Sequence, residues 1–417
     1  MIFDGMDWDT TRAAAIAKQG KVTYESGRGN GLHFLDYRGA NTDYGHIVSS
    51  PHSDGTTVDV DRQTVTGTGR VKGGYDPKLC GALPWLPIVD SQYPISKSKV
   101  SHHAYTDSAA SATSMTTGIK TYNNAINIDP FGRQIRPLAR TLQEDGFAIG
   151  VVTSVPISHA TPACSYANNV HRNEYQDLTR DLIGRPSISH PGALDGVDVL
   201  IGAGWGVEKE ADEEQGKNFV PGNRYLTDED LKAIDVAHGG KYVVATRTAG
   251  QPGQAVLKEA AAKAKKDKKR LFGFFGTEYG HLPFRTADGK YNPVVSIKDN
   301  AVDKAETYTE ADIKENATLA QMATASLDVL ESRSDRWWLM IEAGDVDWAS
   351  HSNNIDNAIG SVISGDNAFQ AVAGWIEKNG GWKDTALILT ADHGHYFVLN
   401  KPEALIPSSP TRQRSQR

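Results

Sequence analysis

The segment Tyr105–Asn123 sets a carboxylate, Asp107, directly before a serine, Ser108, and follows them with small residues ending in Gly118 and Lys120. Small side chains let a backbone approach a neighbour closely, and the alanines can start a helix just after Ser108. A serine at a helix N-terminus sees the positive end of the dipole, which favours an anion beside it. The same residues also read as an ordinary N-cap serine on a packed helix.

Three further groups place metal donors directly after apolar runs: Asp4 after Phe3, Glu342 after Ile341, and Asp392 with His393 after Thr390. Asp345, Asp347 and His351 follow Glu342 closely. On a helix Asp347 and His351 would share one face and could grip one ion. Mixed Asp/His ligation suits zinc, and all-oxygen ligation suits magnesium. A single Asp after a strand is commonly a cap, but three such clusters fit a metal site better. A coordinated zinc can remove the proton that makes serine a weak nucleophile. Phosphoryl transfer also needs its equatorial oxygens neutralised, which an arginine fork does well. Arg172 is the candidate, placed about three helical turns beyond Thr161; a surface arginine is the alternative.

The elements that must position these groups alternate. Strands are predicted at residues 1–3, 147–153, 197–202, 242–246, 270–276, 337–341 and 385–390. Helices are predicted at 7–18, 136–145, from about 163 to Arg172, and at 255–269, 310–332 and 354–378. Between Gly20 and Lys99 the chain reads as short strands and long loops, with turns at Asn30-Gly31, Asp54-Gly55 and Gly73-Gly74. His33, His46 and His52 in that stretch read as surface or satisfied core residues, and the lysines at 263–269 as a solvated helix face. Strand–helix repetition predicts an α/β fold, a three-layer sandwich with a mostly parallel central sheet and helices on both faces. Ligands in such sheets gather at the carboxyl ends of the strands.

The 417 residues are 39% hydrophobic and 23% charged, which supports a sizeable core. A net charge of -7 excludes a nucleic-acid binder held by a basic surface. Cys80 and Cys164 cannot make a disulfide framework and read as small buried side chains. There is no apolar run long enough for a membrane span and no signal-peptide pattern in the sequence at hand. We expect one catalytic domain over 1–400 and a polar, basic, disordered tail over 401–417.

Taken together the motifs resemble the alkaline phosphatase family. T-D-S-A-A-S-A-T at 106–113 with T-G-I-K-T-Y-N at 117–123 resembles its nucleophile segment. S-H-A-T-P-A at 158–163 with Arg172 resembles its magnesium and phosphate segment. D-G-M at 4–6, E-A-G-D-V-D-W-A-S-H at 342–351 and T-A-D-H-G-H at 390–395 resemble its metal segments, in family order. The resemblance implies a phosphomonoesterase acting on small phosphate monoesters. Ser108 would become phosphoserine, and Asp107 would orient Arg172 on the phosphate. One zinc would lie on Asp4, Asp392 and His393, a second on Asp347 and His351, and magnesium on Asp4, Thr161 and Glu342. His159 falls where family members carry Asp or His near the magnesium, and Trp348 where some carry a lysine that reaches phosphate through water. A homodimer and a periplasmic or secreted location are family expectations.

The family's third ligand to the second zinc is a downstream histidine, and no histidine follows His395. His395 is a substitute candidate. That gap and the short first strand lead us to expect a chain truncated at both ends. A phosphodiesterase of the same superfamily, or a metal- and phosphate-binding protein without turnover, are the alternatives. The C-x-P-x-R segment of sulfatases is absent.

Overall fold

A computed structural model describes residues 1–38, 40–47, 56–67, 74–292, 296–298, 301–303 and 306–406. The expected turns at Asp54-Gly55 and Gly73-Gly74, His52 and the tail from 407 lie outside the described residues.

Seven strands form the central sheet: β1 (Ile2–Phe3), β2 (Ala148–Pro156), β3 (Val199–Ala203), β4 (Tyr242–Thr246), β5 (Arg270–Phe274), β6 (Trp337–Ala343) and β7 (Thr390–Ala391). Their spatial order is β7-β1-β6-β2-β3-β5-β4, and every neighbouring pair is parallel. Parallel strands need both faces covered, so they read as unbroken apolar runs rather than alternating ones. β2, β3 and β5 are buried along their whole length. Successive side chains still point to opposite faces. Val152, Val199, Ile201, Leu271 and Ile341 join one core cluster, while Ile149, Val151, Leu200, Phe272 and Met340 join another. The first cluster takes in residues of the helices α1 (Trp8–Gln19), α6 (Gly253–Asp267), α7 (Leu319–Arg333) and α9 (Ile355–Lys378). The second takes in residues of α3 (Leu138–Glu144) and α5 (Tyr175–Ile183). The expected α/β sandwich is therefore the observed one.

Three predicted elements differ, the first two because a bridge or side chains compete for backbone groups. The helix expected to run to Arg172 stops early, as α4 (Ala160–Cys164). Beyond it, Asn169 exchanges backbone hydrogen bonds with Ile126, an antiparallel bridge that a continuing helix could not make. The predicted helix 310–332 is two helices, Glu310–Lys314 and α7. Between them Asn316 turns its amide to the backbone of Gly276, and Thr318 with Gln321 forms a capping box that opens α7. The predicted strand 385–390 pairs only at Thr390 and Ala391, because its neighbour β1 offers only Ile2 and Phe3. Residues 402–405 form a 3-10 turn, and Leu405 packs against the core, inside the segment expected to be disordered.

Parallel strands bring their carboxyl ends to one edge. β7, β1, β6 and β2 lie side by side there, so Asp392, Asp4, Glu342 and Thr153 converge from four adjacent strands. The helix packing behind this edge is fixed partly by Asp366 of α9, which is fully buried. Its carboxylate accepts from Lys18 Nζ at 2.8 Å, His33 N at 2.9 Å and Phe34 N at 3.0 Å. Asp366→Ala would leave these donors unpaired, and we expect a loss of about 2–4 kcal/mol in urea-induced unfolding. A loss below about 1 kcal/mol would remove this anchor from the account.

Candidate active site

Ser108 opens helix α2 (Ser108–Thr117), and Gly118, in the left-handed region at φ 75°, closes it. The N-cap is Asp107, not Ser108. Asp107 Oδ1 accepts from Ala110 N at 2.9 Å, while Oδ2 accepts from Asn124 N at 3.0 Å and Arg172 Nη1 at 3.1 Å. One carboxylate thus holds the helix end, a turn and the guanidinium. Burial opposes the charge on Arg172, but Asp107, with Tyr175 and Asp4, more than offsets this and holds it firmly protonated. Arg172 arrives from the irregular stretch after α4 rather than from a helix. The run of small residues is explained by packing: Ala109 and Ala112 meet Ala160, Ala163 and Cys164 of α4.

Ser108 is buried, and its Oγ lies 3.3 Å from Asp4 Oδ1 and 3.1 Å from His393 Nε2. His393 Nδ1 is 3.3 Å from the Gly394 carbonyl, so Nε2 is the ring atom that faces Ser108 and Asp4. Gly5 is required beside Asp4. Its φ is +70°, and a Cβ there would stand 2.6 Å from His395 Nε2.

Two groups of donor atoms fall within 4.8 Å of one another among the described residues: Asp4, Asp347 and His393, and Asp347, His351 and His395. Asp347 Oδ1 is shared, at 2.7 Å from His395 Nε2, 3.5 Å from His351 Nε2 and 3.6 Å from His393 Nε2. Asp392 flanks the first group, its Oδ2 3.7 Å from His393 Nε2, while its Oδ1 accepts from Gly5 N and His393 N. Both groups contain a histidine, the mixed donor set that suits zinc.

The third expected set, Asp4, Thr161 and Glu342, consists of oxygens alone. Asp4 Oδ2, Thr161 Oγ1 and Glu342 Oε1 are all buried with no hydrogen-bond partner among the described residues, while the other Glu342 oxygen accepts from Thr153. Orphaned buried oxygens are costly unless a cation or water completes them. Electrostatics agree. Burial and the charge of Asp4 push Glu342 and Asp392 well above the usual carboxylate range. Burial would also raise Asp4, but its hydrogen bond to His393 and that ring's charge hold it low. His393 is itself raised, since the surrounding carboxylates outweigh its burial. The residues present fit divalent cations.

His159 stands apart from both donor groups. It is half-buried, with a buried Nδ1 that has no hydrogen-bond partner among the described residues, between Tyr175 (centroids 6.3 Å apart, nearly parallel) and Trp348 (5.7 Å, edge-on). Burial and then the charge of Arg172 lower its pKa to about 4, so it is neutral at pH 7. A cavity of about 2220 Å³ opens over this edge, lined by Ser108, Arg172, His351, His393 and Trp348 among others. Around Trp348, His281 and Phe284 gather from one distant segment and Glu306, paired with His281, from another. The joint His/aromatic content of residues 279–284 was the only available signal.

Residues 86–410 match the family model described as alkaline phosphatase. The chain is 26% identical over 393 residues to Alkaline phosphatase 4 of Bacillus subtilis, covering 94% of this chain and 66% of that protein. It is 27% identical over 367 residues to the alkaline phosphatase of Escherichia coli K12, covering 83% and 69%. It thus spans about two thirds of the length of these curated relatives. In fold it is similar to a cold-active alkaline phosphatase from a psychrophilic Shewanella (TM-score 0.53, 20% identity, 94% of this chain and 67% of that one). The Thermus thermophilus alkaline phosphatase is similar too (TM-score 0.54, 18% identity, 94% and 58%). With the family match covering most of its length and the motif residues converging at one sheet edge, this chain belongs to the alkaline phosphatase family.

Proposed function

We propose that this protein hydrolyses small phosphate monoesters to an alcohol and inorganic phosphate through a phosphoserine at Ser108. The observation that carries this reading is the position of Ser108 Oγ, 3.1 Å from His393 Nε2 and 3.3 Å from Asp4 Oδ1 on the helix that Asp107 ties to Arg172. Family membership supports it.

Asp4, Asp392 and His393 would hold one zinc, and Asp347 and His351 the other, with His395 as the nearby third donor. Asp4, Thr161 and Glu342 would hold magnesium, with His159 beside that site. When bound, such cations lower the pKa of the attacking hydroxyl and stabilise charge on the leaving oxygen.

The chain's own residues supply the rest. Asp107 fixes the guanidinium of Arg172 so that its planar fork can meet two phosphoryl oxygens, which favours a monoester over a diester. The Oγ proton of Ser108 has Asp4 Oδ1 as its acceptor. Oγ then attacks phosphorus in line. The ester P–O bond breaks, its electron pair stays on the alcohol oxygen, and that oxygen takes up a proton. Water next attacks the phosphoserine, the P–Oγ bond breaks, and Ser108 regains its proton as phosphate leaves. All these residues lie within 1–400, which we read as one catalytic unit. A periplasmic or secreted location and a homodimer belong to the same reading. No helix of the described residues is long and apolar enough to cross a membrane.

Two outcomes follow. Ser108→Ala should lower turnover of p-nitrophenyl phosphate at alkaline pH by about 10³-fold or more while leaving bound zinc near normal; residual activity within tenfold of wild type would reject Ser108 as nucleophile. Chelation should abolish turnover and lower the unfolding temperature, and added zinc and magnesium should restore both. An unfolding temperature that ignores the cations would contradict the assigned donors.

A further inference from the structure

Trp348 follows Asp347 directly and lines the same cavity as Arg172 and His159, in ring contact with the latter. Nothing covalent holds its indole, which is half-buried, yet it is gripped from two directions. His159 meets it edge-on at 5.7 Å from the cavity side, and His281 meets it at 5.2 Å with ring planes 79° apart. The indole tip also packs over Gly280, where a Cβ would lie 3.5 Å from it.

His281 is fully buried, yet it takes no part in the proposed reaction. Its ring stacks on Phe284 with centroids 3.8 Å apart and planes 18° apart. Nδ1 is 2.6 Å from the Leu282 carbonyl, and Nε2 is 3.0 Å from Glu306 Oε2. Nδ1 therefore bonds the Leu282 carbonyl, while Nε2 sits at ion-pair distance from the Glu306 carboxylate without an aligned hydrogen bond, a placement that favours the protonated ring. Glu306 is itself oriented, since the Tyr308 hydroxyl donates to its Oε2 at 2.6 Å. The surroundings agree: burial alone would lower His281, but Glu306 and then Asp345 raise it.

We propose that His281, locked by Leu282 and Glu306, is a positioning residue that clamps the Trp348 indole at the phosphate end of the cavity and so sets how tightly the site holds inorganic phosphate. The physical reason is water exclusion. A fixed indole keeps water from the side of Arg172, and a charge pair strengthens as the local dielectric falls. A loosened indole admits water and weakens the hold on the product. This role rests on the phosphatase reading given above, but the clamp itself is a matter of side-chain geometry.

The test uses the full-length, metal-supplemented protein labelled with 5-fluorotryptophan. The chain has eight tryptophans, so Trp348 is assigned as the fluorine resonance lost in Trp348→Phe. His281→Gln should shift or broaden that resonance and leave the others in place. It should also raise the inhibition constant for inorganic phosphate about threefold to tenfold, more than it changes kcat. In the Trp348→Phe background the same substitution should add little. Glu306→Gln, which keeps the buried ring, should show the same pattern more weakly and serves if His281→Gln does not fold. A Trp348 resonance unmoved in both variants overturns the clamp. An equal phosphate effect with and without Trp348 overturns its coupling to product binding. If wild-type protein shows no Ser108-dependent turnover, the phosphatase reading fails, and the fluorine spectrum still decides the clamp.

Discussion

Four carboxylates crowded at one buried sheet edge set the terms for everything else in this molecule. Asp4, Glu342, Asp347 and Asp392 are all largely excluded from solvent. Removing a charge from water costs several kcal/mol even after relaxation, and neighbouring like charges add to that. Left to themselves such groups would take up protons, as the upward displacement of Glu342 and Asp392 indicates. His393 meets only part of the demand. The rest points to bound cations, and the orphaned oxygens of Asp4, Thr161 and Glu342 mark one place to put one. The parallel sheet makes this crowding unavoidable, because adjacent strands deliver their carboxyl-end residues to the same edge.

Asp107 has the complementary task. It caps the nucleophile's helix and holds Arg172, so attack and phosphate recognition share one rigid mount. That sharing matters for in-line transfer, where a small misplacement between nucleophile and phosphoryl group is costly. It also accounts for the small-residue run after Ser108. The helix has to lie close against Ala160–Cys164 to keep Asp107 within reach of Arg172.

The sheet and the strand-end donors were legible in the sequence, because buried parallel strands are plain apolar runs and polar residues that follow them stand out. The interval between Asp347 and His351 was equally readable, being a local helical property. Other features depend on contacts between segments far apart in the chain. Arg172 lines the cavity beside Asp107 from an irregular stretch rather than from the expected helix, since the bridge between Ile126 and Asn169 has no local signature. Asp107 rather than Ser108 is the cap, a choice that turns on which side chain accepts the Ala110 N–H. Asp347 proved to serve both donor groups, and the setting of Trp348 between His159 and His281 arises only once three segments are packed together.

The central claim is that phosphorus passes through a covalent bond to Ser108. The direct measurement is an acid quench of metal-supplemented protein during turnover of a monoester labelled in its phosphoryl group, followed by peptide mapping. The account predicts the label as phosphoserine on the peptide carrying Ser108. Full turnover with no labelled protein, or label on His393 instead, would contradict it.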